Sequence, residues 1–191
     1  MISAIVLAAG GARRFGSQKL LAELHGKPVV RWSVERLLEA QPDEVIVVAG
    51  ADGEAIRAVL DGLPVRVVVN ESWAEGIGSS LRAGIAALGA HADAAMIALG
   101  DQPSVEPRVI ASLLNTHAEG DKAIVVPSYR GERGHPVIFA ASIFPELLVL
   151  GGDRGARDVI ACDPGRVAMV EFDAPLPPDV DTEAELRFLA R

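Results

Sequence analysis

The chain has 191 residues, 50% hydrophobic and 23% charged, which is typical of a globular protein, and we expect residues 1–191 to form a single domain. A formal net charge of −8 argues against a broad nucleic-acid-binding surface, and a single cysteine excludes both an internal disulfide and a cysteine-rich zinc site. The N-terminal apolar run is too short to span a membrane and lacks the flanks of a signal peptide, so we expect a cytoplasmic protein without a membrane partner.

This N-terminal run, Ile2 to Ala9, is rich in β-branched residues and predicts a buried central strand. The segment that follows, residues 10–19, contains three glycines and the basic residues Arg13, Arg14 and Lys19. Glycines allow the backbone N–H groups of such a loop to turn toward one point, where they bind an anion. We therefore predict a phosphate-binding loop. The alternative is a glycine-rich turn with solvated basic residues.

The spacing within this loop excludes two common phosphate-binding motifs. In a Walker A loop the second glycine is followed by Lys-Ser or Lys-Thr, whereas here Gly16 is followed by Ser17 and the lysine comes at Lys19. A dinucleotide fingerprint needs G-x-G-x-x-G, which the three glycines do not supply. The remaining pattern, Leu7-Ala8-Ala9-Gly10 with Arg14, Gly16 and Lys19, resembles the signature of nucleotidyltransferases that move a nucleoside monophosphate from an NTP onto a phosphate.

Helical and strand patterns then alternate along the chain. An irregular link over 20–27 leads to a helix that starts near Pro28, and a second helix is predicted around 54–60. This alternation predicts a parallel sheet covered by helices on both faces. The strands predicted after the first are Val45–Ala49, Val65–Val69 and Ala94–Leu99.

In parallel sheets, ligands bind beyond the carboxyl ends of the strands. The strand-end segments here are the glycine loop, Asn70-Glu71 and Gly100-Asp101, and we expect them to line one edge. Ser79 and Ser80 precede a helix that carries Leu81 and Ile85. They are predicted to cap this helix, to contact a nucleotide, or to do both.

The alternation changes in the second half of the chain. A helix over 109–114 and a strand over 123–126 are predicted, with Pro127 ending the strand. Residues 129–135 predict an inserted hairpin or flap. The remaining predictions are a helix over 144–150, a short helix opened by 151–157, a strand over 167–172 and a terminal helix carrying Leu186 and Leu189.

Nucleotidyl transfer needs a divalent metal and positive charge for the phosphates. Asp101 follows a buried strand and is a candidate Mg²⁺ ligand, although aspartate before Gln-Pro is also a common turn residue. Asp181 is either the second ligand or a structural residue at the start of a helix. Arg14 and Lys19 are candidates for phosphate contacts or for surface salt bridges. His135 is assigned to a second substrate.

Several motifs together resemble one family, the molybdenum cofactor nucleotidyltransferases of the MobA-like NTP transferase type, and most closely their cytidylyltransferase branch. The resemblance covers nearly the whole chain. Its motifs are Leu7-Ala8-Ala9-Gly10 with Arg14, Gly16 and Lys19, then Leu99–Pro103, Gly78–Leu81, Arg133–Pro136, Gly152–Arg157 and Asp179–Thr182.

The resemblance implies a three-layer Rossmann-like α/β fold with a mostly parallel sheet and a small inserted hairpin or flap. It also implies transfer of CMP from CTP to the molybdopterin-type cofactor, with release of pyrophosphate, and a client molybdoenzyme of the xanthine dehydrogenase type. The site residues that it implies are the catalytic Arg14, Lys19 and Asp101; the nucleotide-binding Leu7, Ala8, Ala9, Gly10, Gly11, Gly78, Ser79 and Ser80; the Mg²⁺ ligands Asp101 and Asp181; and the acceptor-binding Gly134, His135, Asp153 and Arg157.

Three positions bear on this resemblance. Ala9 stands where the guanylyl branch tends to carry glycine, and its methyl group is expected to narrow the base pocket toward a pyrimidine. Ala12 and Phe15 depart from the usual serine and methionine. Three other functions stay open: guanylyl transfer, a sugar- or alcohol-phosphate nucleotidyltransferase, and a non-catalytic cofactor carrier.

Overall fold

The computed structural model describes residues 1–10, 18–153 and 155–190, and its centre is an eight-stranded sheet. A separate two-stranded hairpin contains β2 and β3. The strands in chain order are β1 (Ile2–Ala8), β2 (Glu23–Leu24), β3 (Lys27–Pro28), β4 (Glu44–Ala49), β5 (Arg66–Val69), β6 (Ala94–Leu99), β7 (Ile124–Tyr129), β8 (Glu132–Arg133), β9 (Val137–Ala140) and β10 (Val167–Phe172).

Seven α-helices are found within the described residues. Most lie between strands, as the alternation of patterns predicts. They are α1 (Val29–Glu39), α2 (Gly53–Val59), α3 (Ile77–Ala86), α4 (Pro107–Glu119), α5 (Phe144–Leu148), α6 (Arg157–Cys162) and α7 (Glu183–Leu189). The part of the chain that the structure describes contains no helix long and apolar enough to cross a membrane.

The order of strands across the sheet is β10-β7-β9-β6-β1-β4-β5, with β8 paired to β7. The neighbours β5, β4, β1 and β6 run parallel, as do β7 and β10. Strand β9 lies between β6 and β7 and is antiparallel to both. The mostly parallel α/β fold is therefore confirmed.

Successive residues of β1 face opposite sides of the sheet, which gives two apolar cores. Ala4 and Val6 belong to the core under α1, α2 and α4, whereas Ile5 belongs to the core under α3, α5 and α6. All three are fully buried. Such a strand needs apolar residues at every position, which explains the unbroken run at the N-terminus.

Two local predictions were wrong. The link over 20–27 is not irregular: His25 and Gly26 both have positive φ angles, which closes the β2–β3 hairpin. Strand β7 also continues through Pro127 to Tyr129. The ladder between β7 and β9 ends at Val125, so Pro127 lies where no N–H donor is needed, and its carbonyl accepts from the Gly134 N–H at 3.0 Å.

The inserted hairpin is confirmed. Strands β7 and β8 are joined by Arg130 and Gly131, both with positive φ angles. The chain then returns through a cis peptide bond between His135 and Pro136 into β9. This path places the loop between β8 and β9 beside the carboxyl end of β6.

The C-terminal helix lies on a third, smaller apolar cluster. Its buried members are Leu24, Val29 and Val180, and Leu186 and Leu189 of α7 pack against it. Helix α7 begins with the predicted capping box, in which Thr182 accepts from the Glu185 N–H at 3.3 Å and Glu185 accepts from the Thr182 N–H at 2.7 Å. The cluster anchors the C-terminal segment next to the residues that follow the glycine-rich loop.

Candidate functional site

Three charged side chains meet at the carboxyl edge of the sheet. The Lys19 ammonium donates to Oδ2 of Asp101 at 2.5 Å and to Oδ1 of Asp181 at 2.6 Å. The side chains of Lys19 and Asp101 are 13% and 18% exposed, whereas that of Asp181 is 44% exposed. Two carboxylates that lie far apart in the sequence, Asp101 near the middle and Asp181 near the C-terminus, thus converge on one cationic group.

Burial lowers the pKa of Lys19, but the charges and hydrogen bonds of Asp101 and Asp181 more than offset it, and the pKa is raised overall. Lys19 is therefore charged at neutral pH. Nearby, partial burial raises the pKa of Asp179, a hydrogen bond from Gln102 opposes this rise, and the charges of Asp101 and Asp181 add to it. At this edge of the sheet, three aspartates therefore lie around the single positive charge of Lys19.

This arrangement fits a divalent cation that is shared with a phosphate ligand. Within the described residues, no group of three or more His, Cys, Asp or Glu side chains has the geometry of a metal site. Asp101 and Asp181 supply two hard oxygen ligands, and Mg²⁺ commonly binds one or two carboxylates together with substrate phosphates and water. The convergence of both carboxylates on the Lys19 ammonium shows that they are able to face a single cation.

A cavity of about 430 Å³ opens beside these charges. Its walls include Leu7, Ala9 and Gly10 at the end of β1 and Trp73 from the loop after β5. Lys19, Ser80, Asp101 and Asp153 also line it. The cavity thus combines apolar walls with charged groups at one end, as a site for a nucleoside triphosphate requires.

Asn70, at the end of β5, organises the loop on one side of this cavity. Its side-chain amide donates to the hydroxyls of Ser79 at 2.9 Å and Ser80 at 3.1 Å, and its oxygen accepts from the Ser72 N–H at 3.0 Å. The two contacts to the serine hydroxyls are buried, since Asn70, Ser79 and Ser80 are 7%, 3% and 4% exposed. The cavity wall over 72–80 is therefore fixed by a buried polar network.

The expectation that Ser79 or Ser80 caps α3 is wrong, because the helix begins two residues before Ser79 and its N-cap is Gly76. Gly76 has a φ angle of +107° and lies against the Gly152 carbonyl, where a side chain would clash. That carbonyl also accepts from the Gly78 N–H at 3.0 Å. The Gly152 carbonyl thus provides the hydrogen-bond acceptor for a free N–H group at the start of α3. The sequence predicted a serine side chain for this role.

A second cavity, of about 510 Å³, adjoins the first. Both are lined by Leu7, Ile77 and Asp153. The second also contains Gly134, His135 and Arg157, and its floor is formed by apolar residues of the sheet. The two cavities provide adjacent sites for two different molecules at one sheet edge.

Burial lowers the pKa of His135; the Asp101 charge opposes this shift and Arg157 reinforces it. The ring is therefore neutral at pH 7. A neutral imidazole has one donor and one acceptor nitrogen, so His135 is able both to donate and to accept a hydrogen bond in this cavity.

The lowered pKa of His135 predicts acid sensitivity of the fold. At pH values between the folded pKa of His135 and 6.5, the unfolded chain binds more protons than the folded chain. The contribution of His135 to the free energy of unfolding is therefore complete above pH 6.5 and is lost as the pH falls. Urea denaturation at pH 7 and pH 5 is expected to show a smaller pH effect in His135→Gln than in the parent. The matched control, His91→Gln, changes an exposed histidine and should keep the parental pH effect; an unchanged effect in His135→Gln would contradict the prediction.

The remaining residues predicted for the nucleotide have other positions. Ala8 is 2% exposed and packs in the sheet core, and Gly78 and Ser79 are buried without lining the cavity. Gly11 and Arg14 lie outside the described residues. The strand-end position of Asn70 predicted that it lies at this edge, but its hydrogen bonds to Ser79 and Ser80 were not predicted.

The sequence model of the MobA-like NTP transferase domain matches residues 4–170. The chain belongs to the MobA-like NTP transferase family. It is a nucleotidyltransferase, and the resemblance seen in the sequence motifs is confirmed. The match covers at least part of every strand of the central sheet, because it begins within β1 and ends within β10.

This nucleotidyltransferase is similar over most of its length to three known proteins. It is 32% identical to Nicotine blue oxidoreductase from Paenarthrobacter nicotinovorans, covering 97% of this chain and 94% of that one. It is 33% identical to a Probable molybdenum cofactor guanylyltransferase from Thermococcus gammatolerans, covering 82% of each. The crystal structure of Rv0371c from Mycobacterium tuberculosis has 31% identity and a TM-score of 0.89, covering 99% of this chain and 97% of that one, and the same protein is known as a manganese complex.

Proposed function

We propose that this nucleotidyltransferase transfers CMP from CTP to a molybdopterin-type cofactor, giving the cytosine dinucleotide form and pyrophosphate, with Mg²⁺ as the metal. The observation that carries the proposal is the meeting of two cavities at Leu7, Ile77 and Asp153, with Lys19, Asp101 and Asp181 at the edge of the first. A two-substrate transfer needs two adjacent sites of this kind. The manganese complex of a relative supports a divalent metal.

CTP is assigned to the cavity beside Lys19. The methyl group of Ala9 lies in its wall, and glycine at this position would leave more room for a purine. Trp73 supplies a flat apolar surface on the same cavity. These two side chains support a pyrimidine, and the similarity to a guanylyltransferase makes GTP the competing nucleotide.

The acceptor is assigned to the cavity that contains Gly134, His135 and Arg157. Its apolar floor suits a ring system, and the Arg157 guanidinium suits a phosphate. The acceptor phosphate is already ionised at neutral pH, so it needs no general base, and His135 acts by orienting the acceptor. A molybdoenzyme of the xanthine dehydrogenase type is the proposed client for the product.

Lys19 places a positive charge at the point where negative charge grows on the departing pyrophosphate. Asp101 and Asp181 would hold the Mg²⁺, which when bound neutralises phosphate charge and aligns the triphosphate. Arg14 is proposed as a second phosphate contact. The chain's own task is thus alignment and electrostatic stabilisation, without a covalent intermediate.

A single experiment tests nucleotide and acceptor together. The protein is incubated with Mg²⁺, with each of CTP, GTP, ATP and UTP, and with either molybdenum cofactor or a sugar phosphate as acceptor, and pyrophosphate release is measured. We expect release with CTP at least about tenfold faster than with GTP, because one methyl group in a pocket changes binding by about 1–3 kcal/mol. Faster release with GTP would overturn the base assignment, and release only with a sugar phosphate would overturn the acceptor.

Oxidoreduction is a second candidate function, because the 32% identity to Nicotine blue oxidoreductase extends over 97% of the chain. A redox reaction needs an electron carrier, and the loop after β1 lacks the glycine spacing of a dinucleotide site. Nucleotidyl transfer is therefore favoured. Pyrophosphate release separates the two functions, because a redox reaction does not produce it.

A further inference from the structure

The C-terminal segment from Asp179 to Asp181 makes contacts at three consecutive residues, two of them to residues just after β6 and one to Lys19. The Gln102 amide donates to Oδ1 of Asp179 at 2.7 Å, and the Val180 N–H donates to the Asp101 carbonyl at 2.9 Å. Asp181 then accepts from Lys19 at 2.6 Å. Val180 itself is fully buried in the small cluster under α7. We call these three residues the C-terminal latch.

We propose that Asp179 is a positioning residue, which by accepting from Gln102 fixes the latch so that Asp181 faces the same cation as Asp101. The proposal rests on the proposed function, in which these two carboxylates share a divalent ion. In this arrangement Asp179 is not a metal ligand, and Oδ1 of its carboxylate accepts from the Gln102 amide.

Gln102 is well suited to anchor the latch. It follows Asp101 directly and is only 5% exposed, so its amide is held by packing. An anchored donor beside the first carboxylate sets the distance from β6 at which the second carboxylate can lie. Without the Asp179 contact, the bond from the Val180 N–H to the Asp101 carbonyl would be the only direct hydrogen bond from the latch to the end of β6 among the described contacts.

The C-terminal latch lies beyond the last strand of the sheet, so other contacts must hold it in place. The family match ends at residue 170, in the middle of β10, and the latch begins nine residues later. Residues 173–178, between β10 and the latch, contain Pro175, Pro177 and Pro178 and form no helix or strand. Its end is therefore positioned by the latch and by α7, and not by continuation of the sheet.

The test measures Mn²⁺ binding by electron paramagnetic resonance, in the presence of a CTP analogue with a methylene bridge between the α and β phosphorus atoms. Asp179→Ala is expected to weaken Mn²⁺ binding by about tenfold or more, as for other residues that orient metal ligands. Asp179→Asn keeps an oxygen that accepts from Gln102 and is expected to bind Mn²⁺ like the parent. Gln102→Met removes the donor at similar volume and should behave like Asp179→Ala.

Two comparisons make the result specific. Asp173→Ala changes an exposed aspartate a few residues upstream and should leave Mn²⁺ binding unchanged. Equal Mn²⁺ binding by Asp179→Ala and the parent would overturn the proposal, as would Asp179→Asn binding as weakly as Asp179→Ala, which would make Asp179 a charged ligand. Asp181→Asn is measured in parallel: if it too binds like the parent, the shared metal site itself is wrong, whereas weakening in Asp181→Asn alone overturns only the role of Asp179.

Discussion

Asp101→Asn is expected to reduce the rate of pyrophosphate release at least about 100-fold, because metal stabilisation of the transition state contributes several kcal/mol. Asparagine keeps the size of the side chain but removes the negative charge that a hard cation requires. It also removes the acceptor charge that pairs with Lys19 at 2.5 Å. The measurement is the initial rate of pyrophosphate release as a function of Mg²⁺ concentration.

Asp181→Asn, measured in the same series, tells whether the second carboxylate is a ligand. The capping box of α7 is formed by Thr182 and Glu185, so the Asp181 side chain is not the cap. A purely structural role would involve only its charge near the helix N-terminus, about 0.3–1 kcal/mol, and the Mg²⁺ dependence would stay parental. As a ligand, it should shift the curve to higher Mg²⁺. Exposed Asp61→Asn is the control, and parental curves for both site variants would contradict the metal site.

Lys19→Ala is the second variant for which we expect a large effect, with kcat reduced by about 10²–10³-fold, the usual cost of removing one preorganised donor at a developing negative charge. The side chain is largely buried against Asp101 and Asp181, so no other described lysine can replace it at this point. The reduction should appear in kcat with every nucleotide, because the triphosphate is common to all of them. Steady-state kinetics with CTP and GTP measures this.

The stability of Lys19→Ala must be measured alongside, because the substitution leaves two carboxylates facing each other without a cation. Asp181 is 44% exposed, and solvent screens part of this repulsion, so we expect a loss of about 1 kcal/mol in unfolding free energy. Lys27→Ala removes an ion pair to Glu35 at 2.7 Å outside the site and is the matched control. Parental turnover in Lys19→Ala would refute its role at the phosphates.

Most of the fold could be predicted because its determinants are local. The short apolar runs that form β1, β4 and β6 are buried on both faces of the sheet, which is typical of central strands in a parallel sheet. The prediction that Pro127 ends a strand was wrong because the effect of a proline depends on the neighbouring strand. Proline interrupts most strands because it lacks a backbone N–H. At Pro127, however, the ladder between β7 and β9 has already ended, so no hydrogen bond is lost.

The candidate site could be predicted in part. Asp101 was found because a carboxylate after a buried parallel strand lies at the binding edge. Asn70 stands at the same kind of position, but its pairing with Ser79 and Ser80 requires the loop between them to fold back, which no periodicity reports. The role of Gly152 at the start of α3 was missed for the same reason, since its partner Gly78 is far away in the chain.

The sequence by itself determined the order of strands and helices, the glycine-rich loop and the strand-end carboxylate, because each depends on residues within a few positions of one another. Only the tertiary structure decided that β9 enters antiparallel between β6 and β7 and that Asp181 reaches Lys19 from 162 positions away. The physical reason is that these contacts depend on how the C-terminal segment packs, through Val180 and α7, against a cluster formed near the N-terminus. Packing between distant segments decides which charged side chains share a site. No local sequence pattern predicts it, because each segment carries only its own periodicity.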